Sequence, residues 1–284
     1  MMRTIRKERG LLLFLLPSLL GLFVFYIAPF IVSLYYAAID NSVSRQFVGL
    51  GNFLGVLRNG VYQLALRNTG IFMLLCVPLN IIIPLALALL LNRVKRFRAV
   101  FGIFFLMPLV IPSGAVVYFW HALFDVHGAI NGLFFAENPV RWLETPLVRG
   151  IITGIFLWKN VGFNMVLFRA GLGFIPKEYY ETAQVEGAGH FRVFRHVTLV
   201  YLIPTGFLAF ILSIVNSFKA FREIYLLTGA YPNTSIYMLQ HYMNNQFTAM
   251  DYQKLSSSAY ITSVFIVLLL AVFFRLQRKL TRDL

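Results

Sequence analysis

Five apolar stretches of this chain run for 20 residues or more without an Asp, Glu, Lys or Arg: Gly10–Ile39, Asn68–Asn92, Ala99–Phe124, His196–Phe218 and Leu255–Phe274. A helix of about 20 residues, rising about 1.5 Å per residue, crosses the roughly 30 Å hydrocarbon core of a bilayer. A sixth run, Gly150–Arg169, is interrupted only by Lys159. The predicted fold is an all-α membrane protein of one domain over residues 1–284, with spans at about 11–38, 69–91, 99–123, 148–170, 199–221 and 256–275. Only 13% of residues are charged, about half the share of a soluble domain, so no second, water-facing domain is expected. Span 3 carries Pro108, Pro112 and Gly114 in its interior. Proline removes a backbone donor, so that helix is predicted to be bent and packed within the bundle.

The basic residues orient the bundle. Arg3, Arg6, Lys7 and Arg9 precede span 1, and Arg93, Lys95, Arg96 and Arg98 join spans 2 and 3. Arg169, Lys177, Arg192 and Arg195 join spans 4 and 5, and Arg275, Arg278, Lys279 and Arg282 follow span 6. Those 16 of the 25 basic residues lie on one side, which by the positive-inside rule is the cytoplasm, so both termini are expected there. The net charge of +14 is then a topology signal rather than a nucleic-acid surface, which needs a soluble basic domain. The first run is too long for a signal-peptide core and ends in no small-x-small site, so it is expected to be retained. A cell membrane is the expected location, with lipid as the surrounding partner.

Little catalytic equipment is present. There is no G-x-x-x-x-G-K-[ST] loop, no H-E-x-x-H and no G-x-S-x-G. The five histidines show no metal-ligand spacing, and the single Cys76 lies inside span 2 as a packing residue. No catalytic residue, metal or cofactor is expected in this chain. Proton-driven transport calls for ionisable groups within the spans. Glu223, beside Arg222 and near Lys219, is the only acid near a span interior, and it is expected to neutralise those cations.

Spans 4 and 5 carry the candidate solute pathway. Ser213, Asn216, Ser217 and Ala220 fall at i, i+3, i+4 and i+7, one small and polar face of a helix. Lys159, Asn160 and Asn164 place polar groups near mid-membrane in span 4, with Trp158 and Phe163 beside them. Such groups either bond between helices or line water. As a set they suit a cavity for a polar solute, where amides and hydroxyls bond sugar hydroxyls and rings stack on a sugar face. Lys159 can pair with an anionic solute or with Glu223, and both readings stay open. The uncharged but polar segment Ile224–Met250 is read as external or re-entrant, lining a cavity.

The stretch EYYETAQVEGAGHFRVF, Glu178–Phe194, is the polar interruption between those two spans. Pro176 suits a first helical turn, and Glu178 and Glu181 favour its positive end. Helix is predicted from about Pro176 to Glu186, a break at Gly187-Ala188-Gly189, and helix again from His190 into span 5. Two short helices at a cytoplasmic corner can dock on a protein or lie on lipid headgroups.

This loop, at about 176–199, resembles the EAA loop of permease subunits of sugar-type ABC importers, with Glu181, Ala183, Gly187 and Ala188 in place and Phe194, Val197, Leu199 and Pro204 beyond. Thr182, Glu186 and Val200 depart from the family's Ala, Asp and Pro. "FKAFREIYLLTGAYPNTS" is similar to a family segment F-x-x-F-x-x-I-x-x-L-T-x-G-x-P, though Ala230-Tyr231 replaces a glycine pair. "FVGLGNF" and "DYQKLSSSAY" are similar to its first outer loop and the lead into its last span. The resemblance implies a translocation subunit paired with a second permease subunit. Two cytoplasmic ABC ATPase subunits would hold ATP and magnesium, and an external solute-binding protein would deliver a carbohydrate. It implies that Tyr180, Glu181, Ala183, Glu186, Gly187, Ala188 and Gly189 form the coupling surface for an ATPase. Rival readings are the same machinery for glycerol phosphate or another anionic solute, and a membrane scaffold or receptor that recruits a cytoplasmic partner.

Overall fold

The structure, a computed structural model, describes residues 14–94 and 98–280. Arg3, Arg6, Lys7, Arg9, Lys95, Arg96 and Arg282, and residues 11–13 of the first expected span, lie outside the described residues. Among the described residues the fold is all-helical, with a single antiparallel bridge, Ile39 to Phe47. Five helices are long and apolar enough to cross a membrane, and a bent helix pair makes a sixth if it counts as one span. The chain divides into two compact units, one from residues 14–62 and 243–266, the other from the remainder.

In the first unit, α1 (Phe14–Ala38) shows no buried residue across its most apolar 18-residue window. Its Phe23–Ile27 segment is a π turn, closed by the Ala28 N–H on the Phe23 carbonyl. Pro29 follows directly. In a regular helix its ring would press on the carbonyl four residues back, and the wider turn relieves that contact. After α1 the chain turns through Asp40, whose Oδ1 accepts the N–H groups of Asn41 and Gln46 at 2.7 and 2.8 Å. The Ser44 hydroxyl on that carboxylate is the largest cause of a lowered Asp40 pKa. Within FVGLGNF only Gly49 takes a left-handed conformation (φ +56°), while Gly51 opens α2 (Gly51–Arg58). Asn52 Nδ2 ties α2 back to the carbonyls of Ala37 and Ile39, at 3.0 and 2.7 Å.

The second unit holds most of α3 (Gly60–Arg93), which carries Pro78 and Pro84 internally. Next come α4 (Arg98–Val110) and α5 (Ser113–Phe124), the two parts of the expected third span, with the bend its prolines predict. The chain bends by 95° at the break before Ser113, where Pro112 provides no N–H. The short α6 (Ala129–Phe134) precedes α7 (Val148–Gly173), the most buried of the candidate spans. The polar loop after α7 forms α8 (Lys177–Val185) and α9 (His190–Val193). A π turn (Phe194–Thr198) leads into α10 (Leu199–Lys219), then α11 (Phe221–Thr228). The expected fifth span thus lies within a longer helical stretch, His190–Thr228, with a turn at Ala220 between α10 and α11. α12 (Leu239–Thr248) and α13 (Tyr252–Leu280) complete the chain. The segment Ile224–Met250, expected as external or re-entrant, contains the end of α11 and all of α12, turned at Gly229 (φ +78°), and it buries Ile236, Met238 and Leu239.

Apolar clusters among the described residues hold this unit, two of them around α7. Phe72, Val116, Ile152, Phe156 and Ile224 meet in one, and Ala88, Met165, Phe168, Leu172 and Leu202 in the other. Glycine brings α7 close to its neighbours. A Cβ at Gly162 would fall 1.8 Å from the Phe105 carbonyl oxygen of α4, and one at Gly171 would fall 2.6 Å from Thr205 Oγ1 of α10.

Candidate functional site

Lys159, at mid-length of α7, is half-buried and points at Glu223, the third residue of α11. The pair forms a salt bridge whose side chains are 18% and 12% exposed. Ser113, first residue of α5, donates its hydroxyl to Glu223 Oε1 at 2.7 Å and sits 3.3 Å from Lys159 Nζ. Water is largely excluded from these charges, so each needs its partner, and the triad fastens three helices together. Glu223 therefore answers the cation on α7. It does not neutralise Lys219 and Arg222 as the sequence suggests: neither has an acidic side chain within 4 Å among the described residues.

The triad forms one wall of a cavity of about 270 Å³, which Asn160, Asn216, Lys219, Ala220 and Arg222 also line. Asn160 donates to its own helix, on the Phe156 carbonyl at 2.8 Å. Of the eight residues expected on the solute pathway, Lys159, Asn160, Asn216 and Ala220 meet at this cavity.

The other four lie elsewhere. Asn164 Nδ2 donates to Ser213 Oγ at 3.0 Å and to the Asn80 carbonyl at 2.7 Å, and Asn80 Nδ2 reaches the same Ser213 oxygen at 2.9 Å. All three are buried, so Asn164 and Ser213 bond helix to helix. Ser217 turns back onto the Ile214 carbonyl at 2.7 Å, and half-buried Phe163 is absent from the cavity wall. Asn80 was missed because it lies in α3, between apolar runs that show no polar face. Ser113 was missed as part of a proline kink.

At the loop, Gly187 has φ +72°. Its N–H reaches the Gln184 carbonyl at 3.0 Å, and the Ala188 N–H reaches the Ala183 carbonyl at 2.9 Å. This paired closure is the Schellman motif, whose left-handed residue is best filled by glycine. Gly189 differs: it is extended (φ −67°, ψ 159°) and only begins α9. Glu181 and Glu186 stand at the surface, and Tyr180 turns inward, its hydroxyl 3.2 Å from Thr198 Oγ1 in the π turn. The Tyr179 ring meets the Tyr201 ring of α10 with centroids 4.9 Å apart. Two apolar side chains flank the corner in the open, Val185 at 90% and Phe191 at 75% exposure. An exposed apolar pair on a polar corner suits a protein groove.

Residues 80–284 match the family described as binding-protein-dependent transport system inner membrane component. The chain is 29% identical over 274 residues to the trehalose/maltose transport system permease protein MalF of Thermococcus litoralis, covering 94% of this chain and 92% of that protein. It is 28% identical over 281 residues to the lactose transport system permease protein LacF of Rhizobium radiobacter, covering 95% and 93%. Its fold superposes with a TM-score of 0.85, at 21% identity and 98% coverage of both chains, on a bacterial ABC transporter involved in the import of the acidic polysaccharide alginate.

Proposed function

The chain belongs to the binding-protein-dependent transport system inner membrane component family, and on that premise we propose that it is the permease subunit of an ATP-binding-cassette importer for a carbohydrate. In this reading it is a multi-pass protein of a bacterial-type cell membrane, with six spans, the α4–α5 pair counting as one, and with both termini in the cytoplasm. A second permease subunit completes the pathway, an external binding protein delivers solute, and two cytoplasmic ATPase subunits hold ATP and magnesium. The chain itself carries no nucleotide site and makes no contact with nucleic acid.

The observation that carries the reading is the continuity between the loop corner and the cavity. Tyr180, Glu181, Ala183, Glu186, Gly187, Ala188 and Gly189 surround a corner fixed by the Gly187 closure and bonded to the start of α10. The far end of α10 lines the polar cavity. A partner that grips the corner can therefore move the cavity wall as one body. The trehalose/maltose and lactose relatives favour a carbohydrate as the solute.

Proteoliposomes holding the assembled importer, with ATP inside and the binding protein outside, test this. Solute uptake should require the ATPase subunits and fall when Gly187 is replaced by valine. Uptake that persists without any ATPase subunit would refute the proposal.

A further inference from the structure

We infer that the solute this cavity accepts is anionic: a saccharide or polyol carrying a carboxylate or a phosphate. The inference rests on the importer reading above and deepens it by naming the charge class of the solute.

Three cations line the cavity, Lys159, Lys219 and Arg222, against one acid, Glu223. Lys159 and Glu223 cancel in their salt bridge. Lys219 and Arg222 are left exposed and without an acidic partner among the described residues, which gives the opening two uncompensated positive charges. Beside them the Asn216 side chain is half-buried and makes no hydrogen bond among the described residues, so its amide is free to bind a hydroxyl. Guanidinium and ammonium groups at the mouth of a low-dielectric cleft raise the local concentration of anions and hold carboxylate or phosphate by charge-assisted bonds.

Topology strengthens the point. In the proposed orientation α10 begins at the cytoplasmic loop, so Lys219 and Arg222 sit at its outer end. The charge bias that sets orientation disfavours basic residues there. A neutral sugar gives no reason to keep two of them unpaired at this place, and an anionic solute does.

The test uses the complete importer in proteoliposomes with its own binding protein and three probes: trigalacturonate, maltotriose and glycerol 3-phosphate. One of the two anionic probes should be taken up at least tenfold faster than maltotriose, and which one identifies carboxylate or phosphate as the ligand group. K219Q/R222Q should lower that uptake at least tenfold, and K219R/R222K should restore most of it. Raising the salt concentration should slow the wild type and leave the glutamine variant unmoved. Preferential uptake of maltotriose, or glutamine variants that transport the anionic probe at the wild-type rate, would overturn the inference while leaving the importer reading intact. If the binding protein fails to stimulate ATP hydrolysis with any probe, the importer reading fails, and the inference with it.

Discussion

Replacing Glu223 by glutamine removes one charge from the Lys159–Glu223–Ser113 triad and little else, because the glutamine oxygen can still accept from Ser113. Lys159 then stays charged in a place where its side chain is only 18% exposed, with the Ser113 hydroxyl at 3.3 Å as its remaining partner. Breaking a buried ion pair costs about 3–5 kcal/mol. The residual exposure and the retained hydrogen bonds reduce this to about 2–3 kcal/mol. For a chain of this size such a loss lowers the melting temperature by roughly 4–10 °C. The measurement is thermal unfolding of the purified protein at one scan rate, with Glu137→Gln as the control, since Glu137 is exposed and unpaired among the described residues. Adding Lys159→Met should recover stability to within about 1 kcal/mol of the wild type, because the orphaned charge is then gone. The reasoning is refuted if Glu223→Gln melts where Glu137→Gln does, or if K159M/E223Q is no more stable than E223Q.

Three further outcomes are expected. Gly162→Ala should destabilise by about 2–3 kcal/mol, since its methyl meets the Phe105 backbone rather than a movable side chain, whereas Gly154→Ala, with open space around it, should cost nothing; melting of the two variants decides. Gly187→Val forces a β-branched residue to φ +72°, costing roughly 1–2 kcal/mol, so binding-protein-stimulated ATP hydrolysis by the assembled importer should fall about five- to thirtyfold, while Gly189→Ala stays within twofold. His241 is fully buried, accepts the Met238 N–H on Nδ1 at 3.2 Å, and has its pKa pushed down to about 4 by burial. The unfolded chain therefore takes up this proton first as pH falls. The stability contributed by neutral His241 is complete above about pH 6.5 and is lost as pH drops through about 4, a change of roughly 3 kcal/mol. Melting curves of wild type and His241→Gln at pH 4.5 and 7.5 should show the steeper acid loss in the wild type, and parallel curves would remove His241 from the account.

The apolar runs made the helices legible, because burial in lipid leaves the backbone few other options. Gly187 was legible too, since two glycines amid helix formers mark a break, though only the closed hydrogen bonds distinguish Gly187 from Gly189. Pairing between helices was harder to read. Ser213 and Asn216 share the i, i+3 face that suggested a pathway, yet Ser213 is buried against Asn80 and Asn164 while Asn216 meets the cavity. A periodic polar face says which way a helix points, but not whether the opposite element is another amide or open space. Glu223 shows the same limit. Its sequence neighbours are cations, but Lys159, 64 positions away, is the one it meets.

The joints between the loop corner and the cavity are of a kind that resists bending. At the corner, backbone hydrogen bonds fix Gly187, and the Tyr180 hydroxyl and the Tyr179–Tyr201 ring contact attach α8 to the helical run that becomes α10. Along that run, α10 meets α7 where Gly171 lets Thr205 approach, and again where Ser213 bonds Asn164. At the far end, α11 is fastened to α7 and α5 through Glu223. Apart from the Lys159 stem, which its salt bridge holds, none of these contacts involves a long, freely rotating side chain, so a displacement imposed on the corner is poorly absorbed on the way. The π turn at Phe194–Thr198 interrupts the regular helical hydrogen bonding of the series. In the proposed importer, any slack between the ATPase and the cavity would lie there. The Tyr180–Thr198 hydrogen bond reaches the end of that turn and the Tyr179–Tyr201 ring contact reaches past it, so in the proposed importer these two contacts hold the loop and the span together.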